Sequence, residues 1–544
     1  MRNLLFLVAL CWSAVAGAQE LVDVKLVAPW ERPARVGCVL YDDADAVGAR
    51  MMTATQEEAP MRSFGSPEVI VCLAEFSDTK YSIVNDVLPT HVDTLAAVRD
   101  SFEVFFNGSD GQHAGRNAHS VAEYFAAMSE GQFTPHFNII SGITLPNTQK
   151  YYSTSSGSGR RSTFRDDVLK LLSPMIKSRI DDYDANKDGK VDGVIIVYPG
   201  YGNNVVTDGT NMHACCWPSG HSTGGVAYAT ELIAPELYSN KNNDINSIGV
   251  YVHEMSHMLG LPDFYDAKSP MTASGMDYWS LMDYGEYWMD GYIPTPYTAY
   301  ERMFMGWRQP IELNEPVTIT DMRSIGEGGD AYIIYNDANR DEYYILENLS
   351  SGWEWSKSIC NSLGNGLIVY HVDYSASAWS STTVNNVDNH QRMTIVPANG
   401  HFELCNNFLD DITEGSKKWV SELRGHLYPL KYNVSSVIEY WGMTTGNDEL
   451  TDSVRSAADR VAPAATLYNA NTDGVKLMHK PITEIKYFNS DRTCSFKFMG
   501  GTPTGISDVE ADSEADRRGL YIYQGRLVIM KDGKRYNLSG QTVR

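Results

Sequence analysis

His253-Glu254-Met255-Ser256-His257-Met258-Leu259-Gly260-Leu261-Pro262-Asp263 is the stretch on which the reading of this chain turns. Residues four apart share one face of a helix, so His253 and His257 can aim their imidazoles at a common point, with Glu254 beside them. Two imidazoles suit a zinc ion, and an adjacent carboxylate that is not a ligand suits proton transfer from water at that ion. The surroundings predict a helix. Ile248, Val252, Met255 and Leu259 recur at four- and three-residue steps and form an apolar stripe on a different face. Asn246 and Ser247 are candidate N-caps, and Gly260 followed by Pro262 is a stop signal. An amphipathic core helix with two incidental histidines would need none of the residues that follow Gly260.

Those residues set the ligand expectation. A chain that turns back at Gly260 brings Asp263, six residues beyond His257, under the metal as third ligand. This is the extended zincin pattern with Asp in place of the commoner third His, and carboxylate oxygen is an acceptable zinc ligand. Further on, Trp279-Ser280-Leu281-Met282-Asp283-Tyr284-Gly285 has the form of a Met-turn, with Met282 as a thioether platform. Asp266 and Glu286 stand as alternatives to Asp263. Glu286 forms a Glu-x-x-x-Asp pair with Asp290, on the scale of a thermolysin-like third ligand. Tyr284 or Tyr287 is placed to hydrogen-bond a developing oxyanion, against the plainer reading of each as a packing tyrosine.

The whole chain has 544 residues, a formal charge of −24 and an isoelectric point near 4.9. That length predicts two or three domains, and that charge argues against nucleic acid or an anionic membrane as partner. Met1-Arg2-Asn3, the apolar run Leu4–Ala16 and the small residues Ala16-Gly17-Ala18 predict a secretory signal peptide over 1–18, cut after Ala18. No later run of about 18 apolar residues suggests a membrane span. With Cys11 in the leader, seven of the eight cysteines remain, an odd number for an exported protein. Cys72, in an apolar run, reads as a buried thiol, and Cys360 with Cys405 as a candidate bridge.

Residues 19–62 carry no long periodic element and read as a pro-segment. Within it, Cys38 has a thiol able to block an open zinc position, although a small apolar residue is the simpler reading. From Glu68, Val69-Ile70-Val71-Cys72-Leu73 predicts a buried strand. Ser120 and Glu123 predict a capping box for a helix ending at Gly131. Thr163 to about Ile180 predicts another helix, and Gly193–Tyr198 another strand. The alternation predicts an α/β zincin-type catalytic domain, a mixed sheet plus the metal-bearing helix, over 63–310. Short alternating runs such as Ala331–Tyr335, Tyr343–Glu347 and Leu367–Val372 then predict a β-sandwich over 311–500. A linker and a terminal segment fill 501–544, with an acidic patch at Asp508–Asp516. Leu520–Tyr523 and Leu527–Met530 alternate there, and Asp532-Gly533 predicts a hairpin turn.

Asp184, Asn186, Asp188 and Asp192 stand at the first, third, fifth and ninth positions of a loop with Gly189 at the sixth, the spacing of a calcium loop. Ile195 occupies the twelfth position, where an EF-hand needs a bidentate Glu, so the alternative is an ordinary Asp/Asn/Gly turn. His213, Cys215, Cys216 and His221 match no common zinc module and predict a loop near the rim of the site.

With these segments quoted, the chain resembles the immune inhibitor A family of secreted bacterial zinc peptidases. The resemblance is carried by Leu73–Asp78, Ser120–Phe125 with Ser129–Phe133, Asp184–Tyr198, His253–Asp266, Met282, Glu342–Asn348 and Gly366–Asp373. It implies a secreted zinc endopeptidase made with a pro-segment, stabilised by calcium, acting on protein or peptide substrates. Its departure lies near Trp217-Pro218, where Ser219 and Gly220 precede His221, while the family tends to place His directly after Trp-Pro. The terminal segment resembles sorting domains handled by type IX secretion machinery. On this reading zinc is held by His253, His257 and Asp263, Glu254 is general base and Tyr284 assists. The rival expectation is a non-catalytic adhesin, or a glycan- or protein-binding protein, on a retained peptidase fold.

Overall fold

The computed structural model describes residues 55–82, 94–109, 111–153, 160–202, 211–217, 220–238, 244–266, 275–387, 390–398, 423–431, 453–454, 465–501, 519–523, 526–531, 534–536 and 542–543. The leader over 1–18 with its cleavage after Ala18, Cys38, Cys405 and the Asp508–Asp516 patch lie outside the described residues.

The first part begins with β1 (Glu68–Glu75), α1 (Thr94–Asn107), α2 (Val121–Met128), β2 (His136–Thr144), α3 (Gln149–Tyr152) and α4 (Arg161–Ile176). It continues through β3 (Val194–Tyr201), β4 (Cys215–Trp217), the short hairpin β5 (His221–Thr223) and β6 (Val226–Tyr228), β7 (Glu231–Leu237) and α5 (Ile248–Met258). Its sheet runs β2-β1-β3-β7-β4. The first four strands are mutually parallel, and β4 pairs antiparallel at the edge. The sheet is therefore mixed, as expected. Parallel strands covered on both faces need apolar residues at every position, and β1 and β3 supply them. Alternation divides them: Val69, Val71, Leu73, Ile195 and Val197 face a core shared with α1, α2 and α5. Ile70, Cys72, Ile196 and Ile233 face one shared with α4. Ser120 and Glu123 form the expected capping box on α2.

The adjacent cysteines of β4 obey the same alternation. Cys215 lies in the α4 core and Cys216 in the α5 core, so the pair cannot serve one ion. Residues 215–217 form an edge strand in place of the expected loop.

The second part holds α6 (Ala299–Phe304), β8 (Ile311–Glu312), β9 (Val317–Met322), β10 (Tyr332–Tyr335), β11 (Glu342–Leu349), α7 (Glu354–Leu363), β12 (Gly366–Asp373) and α8 (Ala376–Ser380). Then follow β13 (Met393–Ile395), the pair β14 (Leu430–Lys431) and β15 (Ser453–Val454), and β16 (Ile482–Phe488) with β17 (Thr493–Phe498). One sheet runs β13-β12-β11-β10-β8 and another β16-β17-β9. Ile334, Leu346, Leu367 and Val369 share a core with Ile482, Ile485, Phe496 and Phe498 of the smaller sheet. The opposite face of the larger sheet, Ile333, Ile345, Ile368, Tyr370 and Val372, joins the core that also contains α5. The helices α7 and α8 depart from the expected run of strands alone. Trp355, Ile359 and Leu363, at four-residue steps, bury α7 against that core. Cys360 on α7 is a buried free thiol, which corrects the expected bridge to Cys405.

At the end of the chain, β18 (Gly519–Tyr523), β19 (Arg526–Lys531), β20 (Lys534–Tyr536) and β21 (Thr542–Val543) form an antiparallel sheet in chain order. Lys531 pairs with Lys534, while Asp532-Gly533, where a hairpin turn is expected, lie outside the described residues. Among the described residues no helix is long and apolar enough to cross a membrane.

Candidate metal centre

Every residue of α5 is buried, the histidine face included. A buried helix must satisfy its end groups within the protein. At its start Ser247 is the N-cap but its side chain makes no capping bond. Asn117 does that work from a distant loop: its Oδ1 accepts from Ile248 N at 2.9 Å and its Nδ2 donates to the Asn246 carbonyl at 3.0 Å. Asn246 in turn accepts from Ser247 N at 2.8 Å. At the other end Gly260, with φ of +99°, reverses the chain. Gly260 N donates to the His257 carbonyl and Leu261 N to the Ser256 carbonyl, the paired bonds of a Schellman motif.

That reversal serves the site directly. The Leu261 carbonyl accepts from His257 Nδ1 at 2.7 Å, and the Leu281 carbonyl accepts from His253 Nδ1 at 2.9 Å. A carbonyl only accepts, so each Nδ1 carries its proton, and in the neutral ring each Nε2 presents a lone pair. Leu281 precedes Met282, whose carbonyl accepts from Phe264 N at 2.7 Å. The turn around Met282 thus grips His253 on one side and the Asp263 segment on the other. The turn is itself braced by Asp283, which accepts from Met276 N, Asp277 N and Tyr284 N. Ser280 Oγ donates to Glu301 at 2.7 Å. Met282 is fully buried.

Asp263 Oδ1 lies 3.3 Å from His253 Nε2 and 3.2 Å from His257 Nε2. None of these atoms makes a hydrogen bond, and neither does Asp263 Oδ2, although the side chains are 0–1% exposed. With both rings neutral, two lone pairs and a carboxylate would face one another across a dry pocket and repel, so the trio needs a cation among them, a metal ion or, without one, a proton on His253. The residues therefore fit zinc by donor type, by tautomer and by their unsatisfied buried atoms. Burial alone would pull His253 down, yet the carboxylates of Glu286, Asp263 and Glu254 carry it up to about 10. Burial would likewise raise Asp263, but His257 and His253 hold it down at about 2.

Glu254, next to His253 on α5, is 2% exposed. Glu286 is also buried, and burial with the nearby Glu254 charge pushes it up to about 7 despite His253. It reaches this neighbourhood because Gly249 lets the 284–291 segment lie on α5. A Cβ at Gly249 would stand 2.0 Å from the Glu286 carbonyl oxygen. Among the described residues, His253, His257 and Asp263 form a group with ligand atoms within 4.8 Å of one another, which neither Asp266 nor Glu286 joins. Tyr284 follows the turn, 8% exposed, with its ring 6.3 Å from that of Tyr278. Tyr287 bonds to Glu286.

The acidic loop brings Asp184, Asp188 and Asp192 together. Asp184 accepts from Asp188 N and Gly189 N, and Asp188 pairs with Lys190. Asn186 accepts from Asp188 N and donates to the Pro60 carbonyl. Asp192 Oδ1 is buried without a hydrogen bond, and burial pushes this carboxyl up to about 6. His221 faces Asp166 at 3.4 Å rather than the β4 cysteines. Sequence reasoning missed Asn117 altogether, because no local signal connects a loop asparagine to a helix 131 residues away.

Residues 61–309 match the model of the immune inhibitor A peptidase M6 catalytic domain. The chain is 22% identical over 271 residues to immune inhibitor A of Bacillus thuringiensis subsp. alesti, covering 44% of this chain and 39% of that protein. It is 37% identical over 59 residues to the pre-pro-metalloprotease PrtV of Vibrio cholerae serotype O1, strain M66-2, covering 10% of this chain and 6% of that protein. The chain therefore spans well under half the length of these relatives.

Proposed function

We propose, from the match of residues 61–309 to the model of the immune inhibitor A peptidase M6 catalytic domain, that the chain is a zinc-dependent endopeptidase acting on extracellular proteins. The single observation that carries the reading is the trio His253, His257 and Asp263, buried together with both Nε2 lone pairs and the carboxylate turned inward. These residues would hold zinc, which when bound lowers the pKa of water and polarises a scissile carbonyl. The chain's own groups do the rest. Glu254, beside His253 and outside the ligand trio, takes the proton of the attacking water and delivers it to the leaving amine. The Leu261 and Leu281 carbonyls keep both rings in the ligating tautomer. Tyr284 is assigned to the developing oxyanion.

The same reading takes the Asp184–Asp192 loop as a structural calcium site and the paired sheets of 311–500 as a β-sandwich. It takes 1–18 and the terminal segment as export signals, the latter for type IX secretion machinery. A non-catalytic binding protein on this fold would be expected to have lost a ligand or the base, and both histidines and Glu254 are present. The test is cleavage of casein or gelatin by the mature protein beside Glu254→Ala, with zinc quantified in each. Cleavage by the unaltered protein alone, with zinc in both, is expected. Zinc in both with equal cleavage would remove Glu254 from the mechanism, and zinc without cleavage in either would favour the binding protein.

A further inference from the structure

Outside the His253, His257 and Asp263 trio, two histidines and a carboxylate converge where the loop 113–119 enters α2. His113 Nδ1 lies 3.5 Å and His119 Nδ1 3.8 Å from the same oxygen, Glu123 Oε2. Their ligand atoms all fall within 4.8 Å of one another. Ligands about 2.0–2.1 Å from a tetrahedral ion stand roughly 3.3 Å apart, so a small adjustment closes the set. His113 Nδ1 is buried and makes no hydrogen bond.

The rings are already oriented by their neighbours. His113 and His119 meet edge to face at 5.7 Å, and His119 stacks on Trp355 at 3.9 Å. On its far side His119 Nε2 lies 3.8 Å from Glu354 Oε1, beyond hydrogen-bond distance but a side-chain adjustment away from the carboxylate-histidine pairing that fixes which nitrogen meets a metal. Glu123 Oε2 also accepts from Ser120 N at 3.0 Å in the capping box, and a carboxylate oxygen has a second lone pair for an ion.

We propose that His113, His119 and Glu123 form a second divalent-cation site of the zinc type, with Glu354 orienting His119. Two imidazoles and one carboxylate suit zinc better than calcium or magnesium, which take all-oxygen shells. The ion would tie the loop to α2, and Asn117 in that loop caps α5. The site thus clamps the element that supports the start of the catalytic helix.

The test is a cobalt(II) titration of the metal-free full chain with calcium in excess, repeated on His119→Ala, Glu354→Gln and the double variant His253→Ala/His257→Ala. The unaltered protein should take two equivalents. His119→Ala should take one and keep casein cleavage once loaded with zinc, and Glu354→Gln should bind the second equivalent about 10-fold more weakly. A single equivalent that survives in the His253/His257 double variant would support this site while sinking the catalytic assignment. A single equivalent that disappears there, or two equivalents undiminished by His119→Ala, would overturn the proposal. Glu354→Gln leaves all three ligands in place, so where His119→Ala fails to fold, a second equivalent bound by Glu354→Gln as tightly as by the unaltered protein would overturn the proposal.

Discussion

Glu342 in β11 and Asp263 beyond α5 are both buried carboxylates, and the protein treats them in opposite ways. Glu342 Oε1 receives His371 Nε2 at 2.9 Å and the Tyr468 N–H. Its Oε2 receives the backbone and side-chain N–H groups of Asn469 and the amide of Asn336. Burial would raise this carboxyl, yet His371 and those donors hold it below its ordinary 4.5. Asp263 receives no hydrogen bond on either oxygen and faces the Nε2 atoms of His253 and His257 at 3.3 and 3.2 Å. A carboxylate solvated on all sides by protein donors is architecture. One left facing two imidazole nitrogens, with no N–H donor of its own, is reserved for a cation.

Substitution at the two positions should break the comparison cleanly. Asp263→Ala should reduce zinc in the dialysed protein to background and abolish cleavage. The affinity loss should exceed the roughly 10–100-fold cost of losing an outer hydrogen-bond partner. Retention of a full equivalent would move the third ligand to Glu286 or Asp266. In the metal-free state the same variant should melt earlier than the unaltered protein, since it removes a carboxylate that compensates the raised His253 in a buried pocket.

Glu342→Gln should behave the other way. Urea denaturation should show about 1–3 kcal/mol lost, with zinc content and activity per folded molecule unchanged. A loss of zinc there would mean that the β-rich part and the metal pocket are not separable in this sense.

The pH dependence sharpens the contrast. The folded-state pKa of Glu342 is depressed, so its contribution is fully present above its ordinary 4.5 and is lost as pH falls through the lower folded value. The stability gap between the unaltered protein and Glu342→Gln should therefore shrink below about pH 4.5. A gap that stays constant into stronger acid would show that the two forms do not differ by this titration.

The smallest effect concerns the cap of α5. Asn117→Ala should cost about 1 kcal/mol and speed amide exchange in the first turn of the helix, with zinc retained. Unchanged exchange there would show that Ser247 or water can replace the distant cap.

Much of this was legible locally. The periodicity of Val69–Leu73 and Gly193–Tyr198 marked the central strands, and Ser120 with Glu123 marked a helix start, because those signals are set by neighbours in the chain. The helix α7 was obscured by the strand texture around it, although Trp355, Ile359 and Leu363 carry its period. The burial of one sheet face against α5 was not legible either. Val372 and Tyr370 alternate like any half-buried strand, and nothing local says which core a face joins.

By itself, the sequence determined that His253 and His257 share a face, that Glu254 stands beside them and that the chain reverses at Gly260. Helical pitch and the freedom of glycine at positive φ are local properties. Only the tertiary structure decided that Asp263, rather than Asp266 or Glu286, approaches both imidazoles. It also decided that the Leu261 and Leu281 carbonyls set the tautomers and that Asn117 caps the helix. Those relations join atoms as far apart as 131 residues. They follow from how α5, the Met282 turn and the 113–119 loop pack together, which no period along the chain records.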